Sequence, residues 1–241
     1  MLKPLSAKKL LHEVDIKTAK ELAAAFSART QRGMLNSEIL LVYYIIKTLG
    51  ICRVVESGRY LGHSTKTLAD LLCETSIRIE SIDLPKEVSK ECERRLSGYK
   101  NVKVLYGDSF SDLPNLVDCQ KVSTILLVDG PKGPPALDLI SRCFERSGHL
   151  VAAFLHDCFW GSEARQAVEK KCDNVAFTDD PIYVERFAWL DKQDNVTSIQ
   201  PDKYHGAWES SLNHQVHKTG PLSYGPTLAL IIPKKETRST Q

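Results

Sequence analysis

Four side chains near the ends of two apolar runs are of the types that perform acid–base or metal chemistry. Asp129 ends the run TILLVD, Lys132 follows three residues later, and His156 with Asp157 comes directly after the run 149–155. Two carboxylates at neighbouring strand ends could hold Mg²⁺, which lowers the pKa of a hydroxyl group that it coordinates. Without a metal, the carboxylates would repel each other unless one were protonated. His156 could take up the proton of a hydroxyl group, because an unperturbed imidazole titrates near neutral pH.

A second group of candidates lies in the segment ESGRYLGHST, residues 56–65, which follows the first apolar run. Gly58 would let the backbone turn sharply and approach a ligand without a β-carbon in the way. Gly62 precedes Ser64 and Thr65, which could cap the next helix and leave its first N–H groups facing an anion. Two glycines four residues apart often only make a turn, but their place after the first strand favours ligand binding.

The fingerprints of phosphate-binding loops are absent from the sequence. It contains neither GxGxxG nor GxxxxGK[ST], so a pyrophosphate site and nicotinamide-dependent chemistry are unsupported. A smaller anion, such as a carboxylate, suits the glycine loop better. Asp83 ends the second predicted strand, where an acidic side chain can accept hydrogen bonds from ribose hydroxyls.

Short apolar runs that alternate with helical segments must position these residues. The predicted strands are Ile51–Glu56, Arg78–Asp83, Val102–Tyr106, Thr124–Asp129 and His149–Leu155, and the helices between them are 64–74, 86–97 and Pro134–Arg146. Near-continuous apolar strands joined by helices indicate a parallel sheet that is buried on both faces. We therefore predict a Rossmann-like, doubly wound α/β fold with a mostly parallel seven-stranded sheet.

Segments on both sides of this core complete the predicted organisation. Residues 1–50 form an N-terminal helical extension, with helices over 5–30 and 38–49, which we expect to cap the domain or to make a dimer contact. The ligand-binding domain spans residues 51–233, and residues 234–241 form a solvated tail.

The last part of the domain is the least regular. A helix that begins after Gly161 and runs to about Cys172 is followed by a predicted strand, Ile182–Leu190, and by a final strand, Thr227–Ile232. The polar segment 191–222 is long for a plain connection, which predicts a lid-like insertion. Its histidines lack the spacing of a zinc site.

The glycine loop and the strand-end acids together resemble the class I S-adenosylmethionine-dependent methyltransferases. The motif ExGxxxGxST is followed by an acid that ends the second strand, by Gly-Asp-Ser after the third strand and by Asp-Gly after the fourth. The resemblance implies that the glycine loop contacts the methionine moiety, that Asp83 binds ribose and that Asp108 and Ser109 lie beside adenine. The cofactor-binding residues implied in this way are Glu56, Gly58, Tyr60, Gly62, Ser64, Thr65, Asp83, Gly107, Asp108, Ser109 and Asp129.

The residues after the fourth and fifth strands resemble those of cation-dependent small-molecule O-methyltransferases of the catechol type. That resemblance implies Asp129 and Asp157 as metal ligands and Lys132 as the general base. Cys158 stands where an Asn ligand is expected, and a thiol is a poor ligand for Mg²⁺. The DGPKG and HD segments also resemble bacterial methyltransferases that act on sugars and secondary metabolites. In that group His156, which precedes Asp157, would take the acceptor's proton.

Composition argues against several other classes of function. The net charge of +2, from 32 basic and 30 acidic side chains, gives no strong attraction for nucleic acid or an anionic membrane. The longest apolar stretch, 39–46, is too short to cross a bilayer, and the N-terminal segment lacks the apolar core of a signal peptide. Seven widely spaced cysteines without a CxxC pair indicate reduced thiols. We therefore expect a cytoplasmic protein without a membrane or nucleic-acid partner.

These observations favour an enzyme that transfers a methyl group from S-adenosylmethionine to a hydroxyl of a small molecule or sugar, with assistance by Mg²⁺ left open. A homodimer through the N-terminal helices is compatible with this hypothesis. One alternative is a nucleic-acid methyltransferase, which the balanced charge and the missing [DN]PPY motif after the fourth strand disfavour. Another is a non-catalytic S-adenosylmethionine-binding partner protein, which the retained Lys132, His156 and Asp157 disfavour.

Overall fold

The structure is a computed structural model, and it describes residues 5–27, 33–85, 89–192 and 227–234. The helices are α1 (Ala7–Glu13), α2 (Ile16–Ser27), α3 (Asn36–Thr48), α4 (His63–Leu72), α5 (Ser89–Leu96), α6 (Ser109–Asp118), α7 (Pro134–Arg146), α8 (Glu163–Lys171), α9 (Pro181–Phe187) and α10 (Trp189–Lys192). The strands are β1 (Arg53–Ser57), β2 (Arg78–Asp83), β3 (Val102–Tyr106), β4 (Thr124–Val128), β5 (Leu150–Leu155), β6 (Val175–Phe177) and β7 (Ala229–Ile231).

The strands form one sheet in the order β3-β2-β1-β4-β5-β7-β6. Strands β1 to β5 run parallel to their neighbours, and β7 lies antiparallel between β5 and β6. Because β1 and β4 are adjacent and parallel, the loops that follow them meet at the same edge of the sheet. The prediction of a doubly wound, mostly parallel seven-stranded sheet is confirmed.

The central strands are buried on both faces, which explains their unbroken apolar sequences. Every residue of β1 and of β4 is buried. Val54 and Ile125 belong to a core that also contains residues of α3 and α4, whereas Val55 and Leu126 pack with residues of α6 and α7. Successive strand residues therefore face opposite layers of helices.

The N-terminal extension packs into the first of these cores. The predicted helix over 5–30 is two helices, because Ser6 caps α1 and Asp15 accepts two hydrogen bonds from Thr18 at the start of α2. Apolar residues of α1, α2 and α3 are buried together with residues of β1 and β4. The extension thus covers one face of the sheet.

The prediction of a strand over 182–190 is wrong, because this segment lies in α9 and α10. Its β-branched and aromatic residues favour a strand. However, the Asp180 side chain caps α9 by accepting a hydrogen bond from the backbone N–H two residues later, and Pro181 occupies the first helical position. Tyr183 and Phe187, one helical turn apart, are both buried. The helical spacing of these buried rings outweighs the strand propensity.

Helix α6 is not among the predicted elements. Asp108 caps it, accepting a hydrogen bond from the backbone N–H of Phe110 at 2.9 Å. Pro114 lies inside the helix, although proline cannot donate the backbone hydrogen bond of a helix interior. The proline and the serines give this segment the composition of a loop.

The predicted lid-like insertion 191–222 lies outside the described residues, apart from its first two positions at the end of α10. The predicted tail 234–241 lies outside them as well, apart from Lys234. Among the helices that the structure describes, none combines the length and the apolar character needed to span a membrane.

A buried ion pair joins β1 to β2 at some distance from the carboxyl edge of the sheet. Arg53 Nη2 contacts Glu80 Oε2, and both side chains are almost fully buried. The same guanidinium donates hydrogen bonds to the carbonyl groups of Leu116 and Val117 at the end of α6. This pair therefore ties two strands to one helix.

Replacing Glu80 by Gln should leave the Arg53 guanidinium buried without a counter-charge. We expect Glu80→Gln to lower the free energy of unfolding by about 3 kcal/mol, measured by urea denaturation. The control is Asp70→Asn, which breaks an exposed pair with Lys66 on α4 and should cost less than about 1 kcal/mol. Equal losses in the two variants would contradict a stabilising role for the buried pair.

Candidate functional site

The glycine loop between β1 and α4 lies against the loop that follows β4. Gly58 has a φ of 81°, and a β-carbon at this position would lie 2.4 Å from the backbone nitrogen of Gly130. The backbone N–H groups of Asp129 and Gly130 both donate to the carbonyl of Ser57, at 2.8 and 3.0 Å. A larger residue at Gly58 would push the two loops apart. This glycine therefore brings the predicted cofactor loop next to Asp129.

Ser64 and Thr65 do not cap α4, contrary to the prediction. The residue before the helix is Gly62, whose φ of 74° is unfavourable for residues with a side chain. Ser64 Oγ instead accepts a hydrogen bond from the backbone N–H of Met34 at 3.0 Å. Thr65 Oγ1 donates to Glu56 Oε2 at 2.6 Å. Both hydroxyls thus link the start of α4 to neighbouring segments of the chain.

Glu56 supports the glycine loop from beneath. Its side chain is almost fully buried, and its Oε2 accepts hydrogen bonds from the hydroxyl groups of Thr65 and Ser81. Burial raises the pKa of this carboxyl to about 7, although the two hydroxyl donors act in the opposite direction. Glu56 therefore ties β1 to β2 and α4 and does not present its carboxylate at the surface.

Asp83, at the end of β2, holds the glycine loop through backbone hydrogen bonds. Its Oδ2 accepts from the N–H groups of Tyr60 at 2.9 Å and Arg59 at 3.2 Å, and its Oδ1 accepts from Leu84 at 2.8 Å. Tyr60, Leu84 and Phe110 are among the large apolar side chains that remain exposed. The end of β2 thus combines a carboxylate with apolar surface.

The segment Gly107-Asp108-Ser109 reaches the same edge from β3. The N–H of Gly107 donates to the carbonyl of Asp83 at 3.2 Å. The Oγ atoms of Ser109 and Ser57 lie 2.7 Å apart. The residues predicted to bind the cofactor therefore gather at, or directly beneath, the carboxyl ends of the first four strands.

Asp129, Lys132, His156 and Asp157 form one charged cluster at the carboxyl ends of β4 and β5. Lys132 Nζ contacts Asp129 Oδ1 and Asp157 Oδ2 from the exposed side. From the buried side, His156 Nδ1 lies 2.9 Å from Asp129 Oδ1 and 3.1 Å from Asp157 Oδ1. Two basic groups therefore separate two carboxylates that would otherwise repel each other.

The backbone at Asp157 explains why two consecutive side chains reach the same cluster. Successive residues of a strand point to opposite faces, and His156 is still bonded to β4 through its N–H and the carbonyl of Val128 at 2.9 Å. Asp157 then has a φ of 60°, in the left-handed region that aspartate tolerates better than most residues. The chain therefore turns sharply after His156, and both side chains face Asp129.

Glu38, in the first turn of α3, is a member of the cluster that no sequence motif marks. Its Oε2 lies 3.3 Å from His156 Nε2, although 118 positions separate the two residues in the sequence. The Glu38 side chain is fully buried. The available signal is its place beside the apolar run 39–46, since an acidic residue on a buried helix needs a partner.

The charges of Asp129, Lys132, His156 and Asp157 stabilise one another's ionised forms, whereas burial raises the pKa of Glu38 in spite of His156. Burial opposes protonation of His156, but Asp129, Glu38 and Asp157 outweigh burial and raise its pKa well above 6.5. Burial also opposes ionisation of Asp129 and Asp157, yet His156 and Lys132 lower the pKa of both. Burial lowers the pKa of Lys132, and the two aspartates more than reverse this effect. The expectation of an unperturbed imidazole is therefore wrong: His156 is an imidazolium at neutral pH.

This arrangement of the cluster does not fit a divalent cation. One possible ligand atom from each of Asp129, His156 and Asp157 lies within 4.8 Å of the others. However, Lys132 Nζ contacts both carboxylates and His156 Nδ1 lies within 3.1 Å of both, so two basic groups already occupy the space between the aspartates. Mg²⁺ also prefers a shell of oxygen atoms. The two carboxylates thus already have their counter-charges within the protein.

Cys158 does not supply the ligand that is missing from the catechol-type pattern. Its side chain is fully buried in the apolar core beside α7 and α8. Burial raises the pKa of the thiol to about 12, so the thiolate that would bind a metal ion does not form at neutral pH.

An open pocket of about 460 Å³ adjoins the cluster. Lys132 and Asp157 form part of its wall, together with Phe159, Ser162 and Glu163. Pockets of this volume hold small organic molecules, and a few polar groups in the wall fix their orientation. The pocket is therefore the candidate substrate site.

Thermal unfolding with and without Mg²⁺ tests whether the cluster excludes a divalent cation. An ion that binds only the folded protein raises its Tm. We expect millimolar Mg²⁺ to leave the Tm of the wild-type protein unchanged. Lys132→Met removes the ammonium group between the carboxylates, so this variant should gain a Mg²⁺-dependent rise of a few degrees. The control Lys66→Met should show no such gain, and a rise in the wild-type protein would contradict the assignment.

Solved structures with a similar fold include O-methyltransferases. A protein from Klebsiella pneumoniae assigned as an O-methyltransferase aligns over 96% of this chain and 92% of its own, with 12% identity and a TM-score of 0.52. The O-methyltransferase TomG from Streptomyces achromogenes, in complex with S-adenosylmethionine, aligns over 91% and 89%, with 14% identity and a TM-score of 0.49. An O-methyltransferase from Bacillus cereus, in complex with S-adenosylhomocysteine, aligns over 97% and 94%, with 13% identity and a TM-score of 0.46.

Comparison of the amino-acid sequence with protein families and curated proteins finds no relative. No protein-family model matches the chain, and no curated protein sequence matches it. The likeness to the Klebsiella pneumoniae structure extends over nearly the whole of both chains. It confirms the Rossmann-like α/β fold that the sequence predicts.

Proposed function

We propose that this protein is an S-adenosylmethionine-dependent O-methyltransferase that acts on a hydroxyl group of a small molecule or sugar. One observation carries the proposal: the glycine loop, Asp83 and the charged cluster lie along one edge of the sheet, and an open pocket adjoins the cluster. The similar fold of the Klebsiella pneumoniae protein supports it. The two alternatives, a nucleic-acid methyltransferase and a non-catalytic binding protein, have no comparable observation in their favour.

The ends of β2 and β3 fit the adenosine part of the cofactor. Asp83 ends β2, in the position where an acidic side chain can accept hydrogen bonds from ribose hydroxyls. Leu84, which follows Asp83 in the chain, and Phe110, in the first turn of α6, expose apolar side chains that could contact a planar base. The glycine loop would then hold the methionine part of the cofactor next to Asp129 and the pocket.

The cluster can guide methyl transfer without a metal ion. S-adenosylmethionine, when bound, supplies an electrophilic methyl group that a hydroxyl oxygen attacks. Lys132, an ammonium ion in the pocket wall, donates a hydrogen bond to that oxygen and stabilises its negative charge. Asp157 lines the same pocket in its ionised form and would accept the hydroxyl proton while the oxygen attacks, so that this oxygen carries partial negative charge beside Lys132. The electron pair of the broken methyl–sulfur bond would leave with the sulfur. Lys132 is therefore assigned an electrostatic role, because an ammonium cannot act as the base.

Isothermal titration calorimetry with S-adenosylhomocysteine tests the cofactor site. We expect saturable binding to the wild-type protein. Asp83→Asn keeps an acceptor oxygen for the glycine loop but removes the charge, so we expect binding to weaken about tenfold or more. The control Asp70→Asn changes an exposed aspartate on α4 and should leave the affinity unchanged.

A second arm of the same experiment tests the transfer step. The wild-type protein is incubated with S-adenosylmethionine that carries a labelled methyl group and with a panel of catechols, phenols and sugars. Lys132→Met should bind S-adenosylhomocysteine as the wild type does but lose about a hundredfold of the transfer rate, because the charge on the acceptor oxygen is no longer stabilised. Absence of S-adenosylhomocysteine binding to the wild-type protein would contradict the proposed function.

A further inference from the structure

Glu38 is a buried carboxylate directly beside the charged cluster. Its Oε2 accepts a hydrogen bond from the backbone N–H of Leu35 at 2.7 Å and lies 3.3 Å from His156 Nε2. Its Oε1 has no hydrogen-bond partner within the described part of the chain. Burial of a carboxyl group with one unsatisfied oxygen costs free energy. A role as a helix cap alone does not account for this residue, since a neutral side chain could serve the same N–H group.

The two ring nitrogens of His156 have different surroundings. Nδ1 is within ion-pair distance of Asp129 and Asp157, but neither carboxylate oxygen lies in line with the ring N–H bond. Among the described residues, the aligned hydrogen bond of the ring is the one between Nε2 and Glu38. A hydrogen bond on one ring nitrogen fixes the plane of an imidazole and the direction in which the other nitrogen points.

The first turn of α3 is held by the helices that pack against it. The N–H of Ser37 donates to Asp191 Oδ1 at 3.0 Å, and the hydroxyl of Tyr183 donates to the carbonyl of Ser37 at 2.8 Å. Asn36 Nδ2 donates to the carbonyl of Leu190 at 3.0 Å. A side chain on such a fixed turn orients its neighbour more accurately than a side chain on a loop.

We propose that Glu38 is a positioning residue, which fixes the His156 ring so that Nδ1 separates Asp129 from Asp157 and keeps Asp157 at the pocket. The reason for positioning the His156 ring rests on the proposed methyl transfer. The contact between Glu38 and His156 is observed independently of that proposal. In this role the N-terminal extension contributes a group to the site, in addition to covering the sheet. Within the described ranges, the charged groups that face the ring are Glu38, Asp129, Asp157 and, through the two aspartates, Lys132.

Nitrogen-15 NMR of the protein with labelled histidine tests this proposal. His156→Gln identifies the ring signals of His156. In the wild-type protein we expect His156 Nε2 to carry a proton at pH 7 that exchanges slowly with water. Glu38→Gln keeps an oxygen for the Leu35 N–H but loses the charge, so the Nε2 signal should shift and its proton should exchange at least about tenfold faster. The control Glu80→Gln removes another buried carboxylate and should leave the His156 signals unchanged.

Two results would overturn the proposal. The first is an unprotonated Nε2 of His156 in the wild-type protein, a measurement that does not depend on the folding of any variant. The second is a folded Glu38→Gln variant whose His156 signals and exchange rate equal those of the wild type, which is what a helix cap alone predicts. Addition of S-adenosylhomocysteine to the same samples distinguishes the two proposals. If the wild-type protein does not bind it, the proposed function is contradicted, whereas the NMR result on Glu38 still stands.

Discussion

The rest of the site depends on one constraint: the negative charges of Asp129 and Asp157 must be compensated by nearby positive charges. Two carboxylates this close cannot both ionise without counter-charges. Lys132 supplies one from the exposed side and His156 supplies the other from the interior. The cluster therefore keeps both aspartates ionised without a metal ion, and Asp157 lines the pocket. This balance also decides which groups can act as a base, since it keeps both the lysine and the histidine protonated.

The fold meets this constraint through two features of the backbone. The close contact between Gly58 and Gly130 brings the loops after β1 and β4 together, so that the glycine loop lies next to Asp129. The left-handed conformation of Asp157 turns its side chain to the same side as that of His156. The helices of the N-terminal extension then close the buried side of the cluster with Glu38. Residues from three distant parts of the sequence thus share one electrostatic environment.

The sheet and most of the site could be predicted from the sequence, because apolar strands with polar residues at their carboxyl ends determine which loops meet. Asp83, Asp129 and Asp157 lie where that pattern places them. The helical state of 182–190 could not be predicted from composition, because the cap at Asp180 and the burial of Tyr183 and Phe187 decide it.

Other properties depend on contacts that no local pattern contains. The side chains of Ser64 and Thr65 bond to distant segments instead of capping α4. The raised pKa of His156 results from three carboxylates that come from three different loops or helices. Cys158 occupies the sequence position of a metal ligand, yet it packs into the apolar core because the chain turns at the residue before it.

A crystal structure of the wild-type protein with S-adenosylhomocysteine and Mg²⁺ tests the central claim most directly. The claim is that the cofactor lies along the ends of β1 to β4 and that Lys132, without a metal ion, bridges the two aspartates. The expected result is adenosine at Asp83, the cofactor's sulfur facing the pocket beside Lys132 and Asp157, and the lysine still in contact with both carboxylates. A cation between Asp129 and Asp157 with Lys132 displaced, or a cofactor bound elsewhere, would contradict it.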